Sequence, residues 1–282
     1  MGRSTAQRAG ADSRRNGGSQ GLLSLPVRLL DRLDRELGEG AGLIAIFDYD
    51  GTLTPLVSTP EAAVLAPSVR ATLGRLAGSE RARLAILSGR GLSDLKARVA
   101  LDGVVYGGCH GLEIDGRHLR FRHPRARSSG IAATRRELTD ALPALPGARL
   151  EFKGLSLALH YRGVRPERWP DVEEIAASVL RRRRELTAIQ GHRIFDFMPR
   201  IGWDKGQAAR WMVKRMAPTL PNGRVVVLYV GDDTTDESAF TALRGRALTI
   251  RVGTCPTAAQ YHVRGVREVQ TLLRRMASAL AA

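Results

Sequence analysis

Two aspartates, Asp48 and Asp50, stand one residue apart at the end of the apolar run LIAIF, residues 43–47. Like charges that close repel, and one of the pair must hold its proton more tightly unless a cation neutralises them. Such a pair suits a calcium loop, a metal-assisted active site or a solvated turn. An EF-hand loop needs Gly at its sixth position and Glu at its twelfth. Counted from Asp48, Gly51 falls fourth and Thr59 twelfth, so that reading fails. A second acidic cluster, GDDTTDE at 231–237, lies far along the chain, which a solvated turn would not require. No Gly-x4-Gly-Lys-Ser/Thr loop occurs, which removes the common nucleotide-binding alternative. A metal-assisted acidic site is left.

These residues need elements that bring them together. LIAIF (43–47), LAILS (84–88), Val104–Tyr106, VVVLYVG (225–231) and Ala247–Val252 are short continuous apolar runs. Helical stretches separate them near Ser68–Leu76 and Leu92–Val99, a pattern that predicts a parallel sheet covered on both faces. Asp48 and Asp50 follow the first run, Ser88-Gly89-Arg90 the second, and Gly231-Asp232-Asp233 a third. Ligands of open α/β sheets bind beyond the carboxyl ends of the strands, so one edge receives carboxylates, a hydroxyl and glycine turns. The middle of the chain differs. EFKGLSLALHYR (151–162) and HRIFDFMPR (192–200) alternate with period two, which predicts antiparallel strands, and Val172–Ile189 reads as one helix. The expected fold class is α/β, a Rossmann-like core with an inserted α+β cap. Its predicted limits are a basic tail and short helix at 1–40, core at 41–110, cap at 111–195 and core again at 196–282.

The chain has 282 residues, 43% of them hydrophobic, and a formal charge of +16. That charge suits nucleic acid, a membrane surface or an anionic small substrate. Only four of the 44 basic residues are lysines, Lys96, Lys153, Lys205 and Lys214, which singles each of them out. No apolar stretch approaches the roughly 18 residues of a membrane helix. Two cysteines, Cys109 and Cys255, cannot form a disulfide framework, so a reducing cytoplasm is expected. The first two dozen residues are rich in Gly, Ser and Arg and predict a disordered tail. RHLRFRHPRAR (117–127) holds five arginines and RRRR (181–184) lies on the predicted helix. Neither is interleaved with the aromatics that single-strand binding uses, so both are expected to face water.

DYDGTLTP, LSGR, the lysine of WDKG and GDDTTDE, in that order, resemble the four motifs of the haloacid dehalogenase (HAD) phosphatase superfamily. DYDGTLTPL itself, YGGCHGLEI (106–114), LALHYR (157–162) and a Pro followed by WDKG narrow the resemblance to the trehalose-6-phosphate phosphatase family. It covers nearly the whole chain after residue 40. The resemblance implies Mg²⁺-dependent hydrolysis of trehalose 6-phosphate through an aspartyl-phosphate. Asp48 then fits the nucleophile and Asp50 the group that protonates the sugar oxygen and later takes a proton from water. Ser88, Gly89 and Arg90 are expected at the phosphoryl group, with Lys205 supplying a compact positive charge. The implied metal ligands are Asp48, the Asp50 backbone carbonyl and Asp232, with Asp233 and Asp236 holding metal waters and the lysine.

His110 and Gly111 stand where the family contacts substrate, and Lys153, His160 and Asp196 are the matching cap positions. Trp203 and Cys109 are expected to be packing residues. The family's usual Glu-x-Arg-Pro is here Asp196-Phe197-Met198-Pro199, so an arginine is missing and Arg200 is the nearest replacement. That departure bears on which sugar is recognised, and reinstating Arg at 198 is expected to be tolerated. The expected partner is a small sugar phosphate met by a monomer, with no membrane and nucleic acid disfavoured. Three alternatives are a HAD phosphatase for a related sugar phosphate, a catalytically silent regulatory HAD domain and a basic nucleic-acid-binding protein.

Overall fold

A computed structural model describes residues 25–281 apart from 58, 128, 192 and 222. The expected disordered tail lies outside the described residues. Helix α1 (Val27–Gly38) buries Leu29, Leu33 and Leu37, one apolar stripe at helical spacing. Strand β1 (Gly42–Phe47) is buried throughout, as expected of a strand covered on both faces. Helix α2 (Pro67–Ala77), β2 (Ala82–Leu87), α3 (Leu92–Val99) and β3 (Val104–Gly108) follow, then a hairpin of β4 (Glu113–Gly116) and β5 (Leu119–Arg122).

The next segment comprises α4 (Ser129–Ala141), β6 (Arg149–Phe152), β7 (Leu157–His160), α5 (Trp169–Arg182), β8 (Leu186–Gly191) and β9 (Ile194–Pro199). The chain closes with α6 (Lys205–Met216), β10 (Val225–Gly231), α7 (Glu237–Ala242), β11 (Leu248–Val252), β12 (Tyr261–Val263) and α8 (Val266–Ala281). Among the described residues, no helix is long and apolar enough to cross a membrane.

The large sheet runs β12-β11-β10-β1-β2-β3-β4-β5, parallel except where β4 and β5 join antiparallel. Alternate residues of β1 serve opposite faces. Leu43, Ala45 and Phe47 pack with α1, α2 and α8, and Ile44 and Ile46 pack with residues of α6 and α7. Strand order reverses at β1, with β2 on one side and β10 on the other, so the crevice beyond their carboxyl ends is a switch point.

The small sheet runs β6-β7-β9-β8, all antiparallel. Its Leu157, Leu159, Phe195 and Phe197 bury against Ile131, Leu138, Val172 and Val179 of α4 and α5. The opposite side of the same strands carries Arg149, Glu151, His160, Ile194 and Asp196, and this side lines the cleft.

Two expectations are corrected here. The helix expected over 172–189 ends at Arg182, and Leu186–Gly191 forms β8. Its buried stripe, Val172, Ala176 and Val179, has no apolar successor among the arginines, and Arg183 leaves helical geometry at φ −113°, ψ 76°. Arg181 and Arg182 remain 60% and 57% exposed while pairing with Glu174 and Glu137, so this run faces water as expected. The segment 117–127 contributes β5 to the edge of the large sheet. The predicted limits at 110/111 and 195/196 therefore do not follow the sheets. β4 and β5 extend the large sheet, and β9 lies within the small one.

Candidate active site

The carboxyl ends of β1, β2 and β10 deliver their polar residues to one cleft of about 930 Å³, roofed by the small sheet. Register fixes the first two partners: Phe47 pairs with Val230, and the Asp48 N–H donates to the Val230 carbonyl at 2.9 Å. Asp48 and Asp232 thus leave neighbouring strands side by side. Gly51 lets them do so. It sits at φ +79°, and a Cβ there would lie 2.0 Å from Asp232 Oδ2. Thr52 Oγ1 donates to Asp232 Oδ1 at 3.0 Å. The Asp-Gly-Thr sequence therefore builds the socket for an aspartate 180 residues away. Gly231 does the same for Asp236, which a Cβ would meet at 2.3 Å.

Lys205, first residue of α6, is 2% exposed and donates to Asp48 Oδ1 at 2.8 Å and Asp236 Oδ1 at 2.9 Å. Tyr229 also donates to Asp236 Oδ1, at 2.8 Å. Oxygens of Asp48, Asp232 and Asp236 lie within 4.8 Å of one another. One ammonium cannot neutralise three carboxylates. Burial, and then the Asp236 charge, push Asp232 up to about 7. Burial above all raises Asp48 as well, against the pull of Lys205. Burial works against a charged Lys205, but Asp236 and Asp48 outweigh it and hold the amine protonated. A cluster of hard oxygen donors carrying this excess of negative charge fits a divalent cation.

Ser88 and Gly89 line the cleft directly after β2. Backbone bonds from His110 N to Ser88 O (2.9 Å) and from Cys109 N to Arg90 O (2.7 Å) join this turn to the one after β3. His110, at φ 57°, is thereby placed in the cleft wall. Gly111 does not line the cleft as expected. Its carbonyl accepts from Trp203 Nε1 at 2.9 Å, and Trp203 stacks on Phe121 at 5.0 Å, away from any sugar. Cys109 is buried with Leu112, Ala126, Leu155 and Met198. Asp50 and Arg90 both line the cleft and are paired to each other. Asp233 lines it too, and caps the turn at 234–236 by accepting from Thr234 N at 2.7 Å.

From the cap, Lys153 Nζ donates to Asp196 Oδ2 at 2.9 Å, and His110 Nε2 lies 3.4 Å from the same oxygen. Asp196 is held below the usual carboxylate range, because the Lys153 charge and the His110 contact outweigh the opposing effect of burial. Asp196 Oδ1 and His110 Nδ1 are buried without a hydrogen-bond partner among the described residues. His160 Nε2 lies 2.9 Å from Glu151 Oε2. Burial raises the Glu151 carboxyl, but His160 and Lys153 bring it net below its ordinary value.

Glu151 was missed in the sequence, as were Arg149, Arg162 and Arg193, which also line the cleft. The period-two pattern around Lys153 could have indicated Arg149 and Glu151. Asp236, expected beyond the metal ligands, stands among the three clustered carboxylates. Met198 is 3% exposed in its apolar cluster and does not line the cleft. Arg200 does not replace the missing arginine, since its Nε donates to the Leu186 carbonyl at 3.1 Å.

The profile of the trehalose-phosphatase family matches residues 46–267. The chain belongs to that family. Trehalose 6-phosphate phosphatase RA3 of Zea mays is 34% identical over 259 residues, covering 85% of this chain and 71% of that protein. The trehalose-phosphate phosphatase of Mycobacterium marinum is 36% identical over 250 residues, covering 83% of this chain and 61% of its own length. For that of Mycobacterium avium the identity is 37%, with 71% and 51% covered. The chain thus spans between about half and seven-tenths of the length of these curated relatives.

The C-terminal domain of the C. albicans trehalose-6-phosphate phosphatase shares the fold. It has a TM-score of 0.72 at 22% identity and covers 91% of this chain and 99% of that one. The HAD-like α/β fold expected from the motifs is the fold observed. A C. albicans trehalose synthase regulatory protein domain shares it too, at a TM-score of 0.65, 16% identity and coverage of 86% and 97%. Fold alone therefore does not decide activity.

Proposed function

We propose that the protein is a trehalose-6-phosphate phosphatase, hydrolysing its substrate to trehalose and phosphate in two steps. Asp48 attacks phosphorus as the bond to the sugar oxygen breaks, and that oxygen receives the proton of Asp50. Water then attacks the aspartyl-phosphate, Asp50 takes its proton, and phosphate leaves with Asp48 restored. The buried Lys205 keeps Asp48 oriented at 2.8 Å and balances charge on the phosphoryl oxygens. The Ser88 hydroxyl and the Gly89 amide, at the same strand edge, can donate to those oxygens. Asp48, Asp232 and Asp236 would hold the divalent ion, for which Mg²⁺ suits oxygen ligands beside phosphate; it would neutralise the dianion.

The observation that carries the reading is that this carboxylate and lysine cluster shares one cleft with the cap residues Lys153, His160 and Asp196. Asp196 and His110 line the cleft, where polar side chains suit sugar hydroxyls. A reducing cytoplasm suits the two free cysteines, Cys109 and Cys255. The test is phosphate release from a panel of disaccharide and monosaccharide phosphates, with Mg²⁺ and with excess EDTA. Mg²⁺-dependent release with trehalose 6-phosphate preferred is expected. Release from no ester would favour a silent regulatory domain, and preference for another ester would reassign the sugar.

A further inference from the structure

Arg90 was expected to touch the phosphoryl group, but its guanidinium is engaged elsewhere. Nε donates to Asp50 Oδ2 and Nη2 to Asp50 Oδ1, both at 2.7 Å, a bidentate fork. Nη2 also donates to the Pro60 carbonyl and Nη1 to Asp94 Oδ2, each at 2.9 Å. The planar group lies 5.3 Å from the centre of the Tyr49 ring. The Arg90 side chain is 7% exposed, against 33% for Asp50. Asp94, on α3, is held in turn by Arg98 Nε at 2.8 Å. The rigid end of this chain is therefore a helix of the core, and its free end is the Asp50 carboxylate at the cleft.

We propose that Arg90 is a positioning residue, which holds the Asp50 carboxylate at one angle toward the ester oxygen and does not itself bind phosphate. The inference rests on the phosphatase reading above. A carboxylate has about four lone-pair sites. The fork occupies one on each oxygen and leaves the others for the proton that passes to the sugar oxygen. Asp50 carries that proton while the phosphorus–oxygen bond breaks and collects one from water in the second step. A shift of about 1 Å in such a group costs on the order of 10²-fold in rate. The demand for a proton depends on the leaving group: an alkoxide from trehalose needs one, whereas nitrophenolate is stable as an anion.

The test compares kcat/KM for trehalose 6-phosphate and for p-nitrophenyl phosphate in Arg90→Lys and Asp94→Asn. Arg90→Lys keeps a charge but loses the fork. It should lower kcat/KM on the sugar phosphate about 100-fold, and on the aryl ester less than about fivefold. An initial burst of nitrophenolate should follow, because the second step slows on either ester. Asp94→Asn loosens the fork from a partly exposed position and should give the same imbalance at about a tenth of the size, so it decides the matter even if Arg90→Lys does not fold. Equal losses of kcat/KM on both esters would overturn the proposal. So would a raised KM on both with kcat kept, the mark of a lost phosphate contact. Failure of the unaltered protein to hydrolyse any ester would instead remove the phosphatase reading on which the proposal rests.

Discussion

In the core, the Lys205 ammonium is shared between Asp48 and Asp236, with Asp232 alongside, so three carboxylates face one cation. In the cap, Asp196 sits between Lys153 and His110, and Glu151 faces His160. The Asp196–Lys153 pair is as buried as the core cluster, yet the charge balance of the two groups differs. Excess negative charge in a buried site is costly unless a cation completes it, which suits the core to a metal and a phosphoryl group. The cap network is close to neutral and lines the cleft with polar side chains, which suits it to uncharged hydroxyls. Chemistry and recognition are thus divided between two differently charged walls of one cleft.

The division breaks first at the nucleophile. Asp48→Asn keeps shape but removes the attacking oxygen anion, and should lower turnover at least about 10³-fold on every phosphate ester, sugar or aryl. The protein should still fold, since burial already raises the Asp48 carboxyl toward its neutral form. Near-normal phosphate release from this variant would remove Asp48 from the chemistry.

Cap substitutions should discriminate where the core one does not. Lys153→Ala or Asp196→Ala should reduce kcat/KM for trehalose 6-phosphate by roughly 10- to 1000-fold, as for one or two lost charged hydrogen bonds. His160→Ala should fall at the low end, because His160 and Glu151 are both partly exposed. Hydrolysis of p-nitrophenyl phosphate should change little, since that ester has no hydroxyls for the cap. Parallel losses on both esters would mean that these residues support the fold, and the division of labour would not stand.

Much of the core was legible because its rules are local. The continuous apolar runs of β1, β2 and β10 announce a doubly covered sheet, and the Asp-Gly-Thr sequence carries its own socket for Asp232. What escaped depends on pairing across the chain. β8 was absorbed into a helix, because a run of arginines carries no periodicity of its own. The β4–β5 hairpin was assigned to the cap, because only its pairing with β3 shows which sheet it joins. Arg90 reads in the sequence as a phosphate contact. Its bond to Asp50, 40 residues away, leaves no trace in spacing.

Met198 sharpens the comparison from the side of stability. The family resemblance suggests that Arg is tolerated at this position. The structure contradicts that expectation: Met198 is 3% exposed among Cys109, Leu112, Ala126 and Leu155. Asp196, two residues before it on the same side of β9, already pairs with Lys153 and contacts His110, so a guanidinium would be a second permanent cation beside one carboxylate. Met198→Arg should destabilise the fold by about 3 kcal/mol, as expected for an uncompensated buried charge. Denaturant unfolding checks this, and an unchanged midpoint would mean that the charge finds a partner.

The smallest expected effect concerns pH. Without metal, Asp232 is raised to about 7, by burial first and then by Asp236, against about 4 in an unfolded chain. Between those values the folded state binds more protons than the unfolded one, so stability must fall as pH rises through that window. The metal-free protein should therefore melt at a lower temperature at pH 8 than at pH 5. Mg²⁺ needs the deprotonated carboxylate, so its apparent affinity should rise about tenfold from pH 6 to pH 8 and then level off. Added Mg²⁺ should flatten the decline in melting temperature. Melting curves at several pH values, with and without Mg²⁺, measure both trends. Asp232→Asn has no proton to lose and should show the shallower slope without metal. The same slope in that variant as in the unaltered protein would assign the titration to another group and weaken the view of the core as a cluster short of one cation.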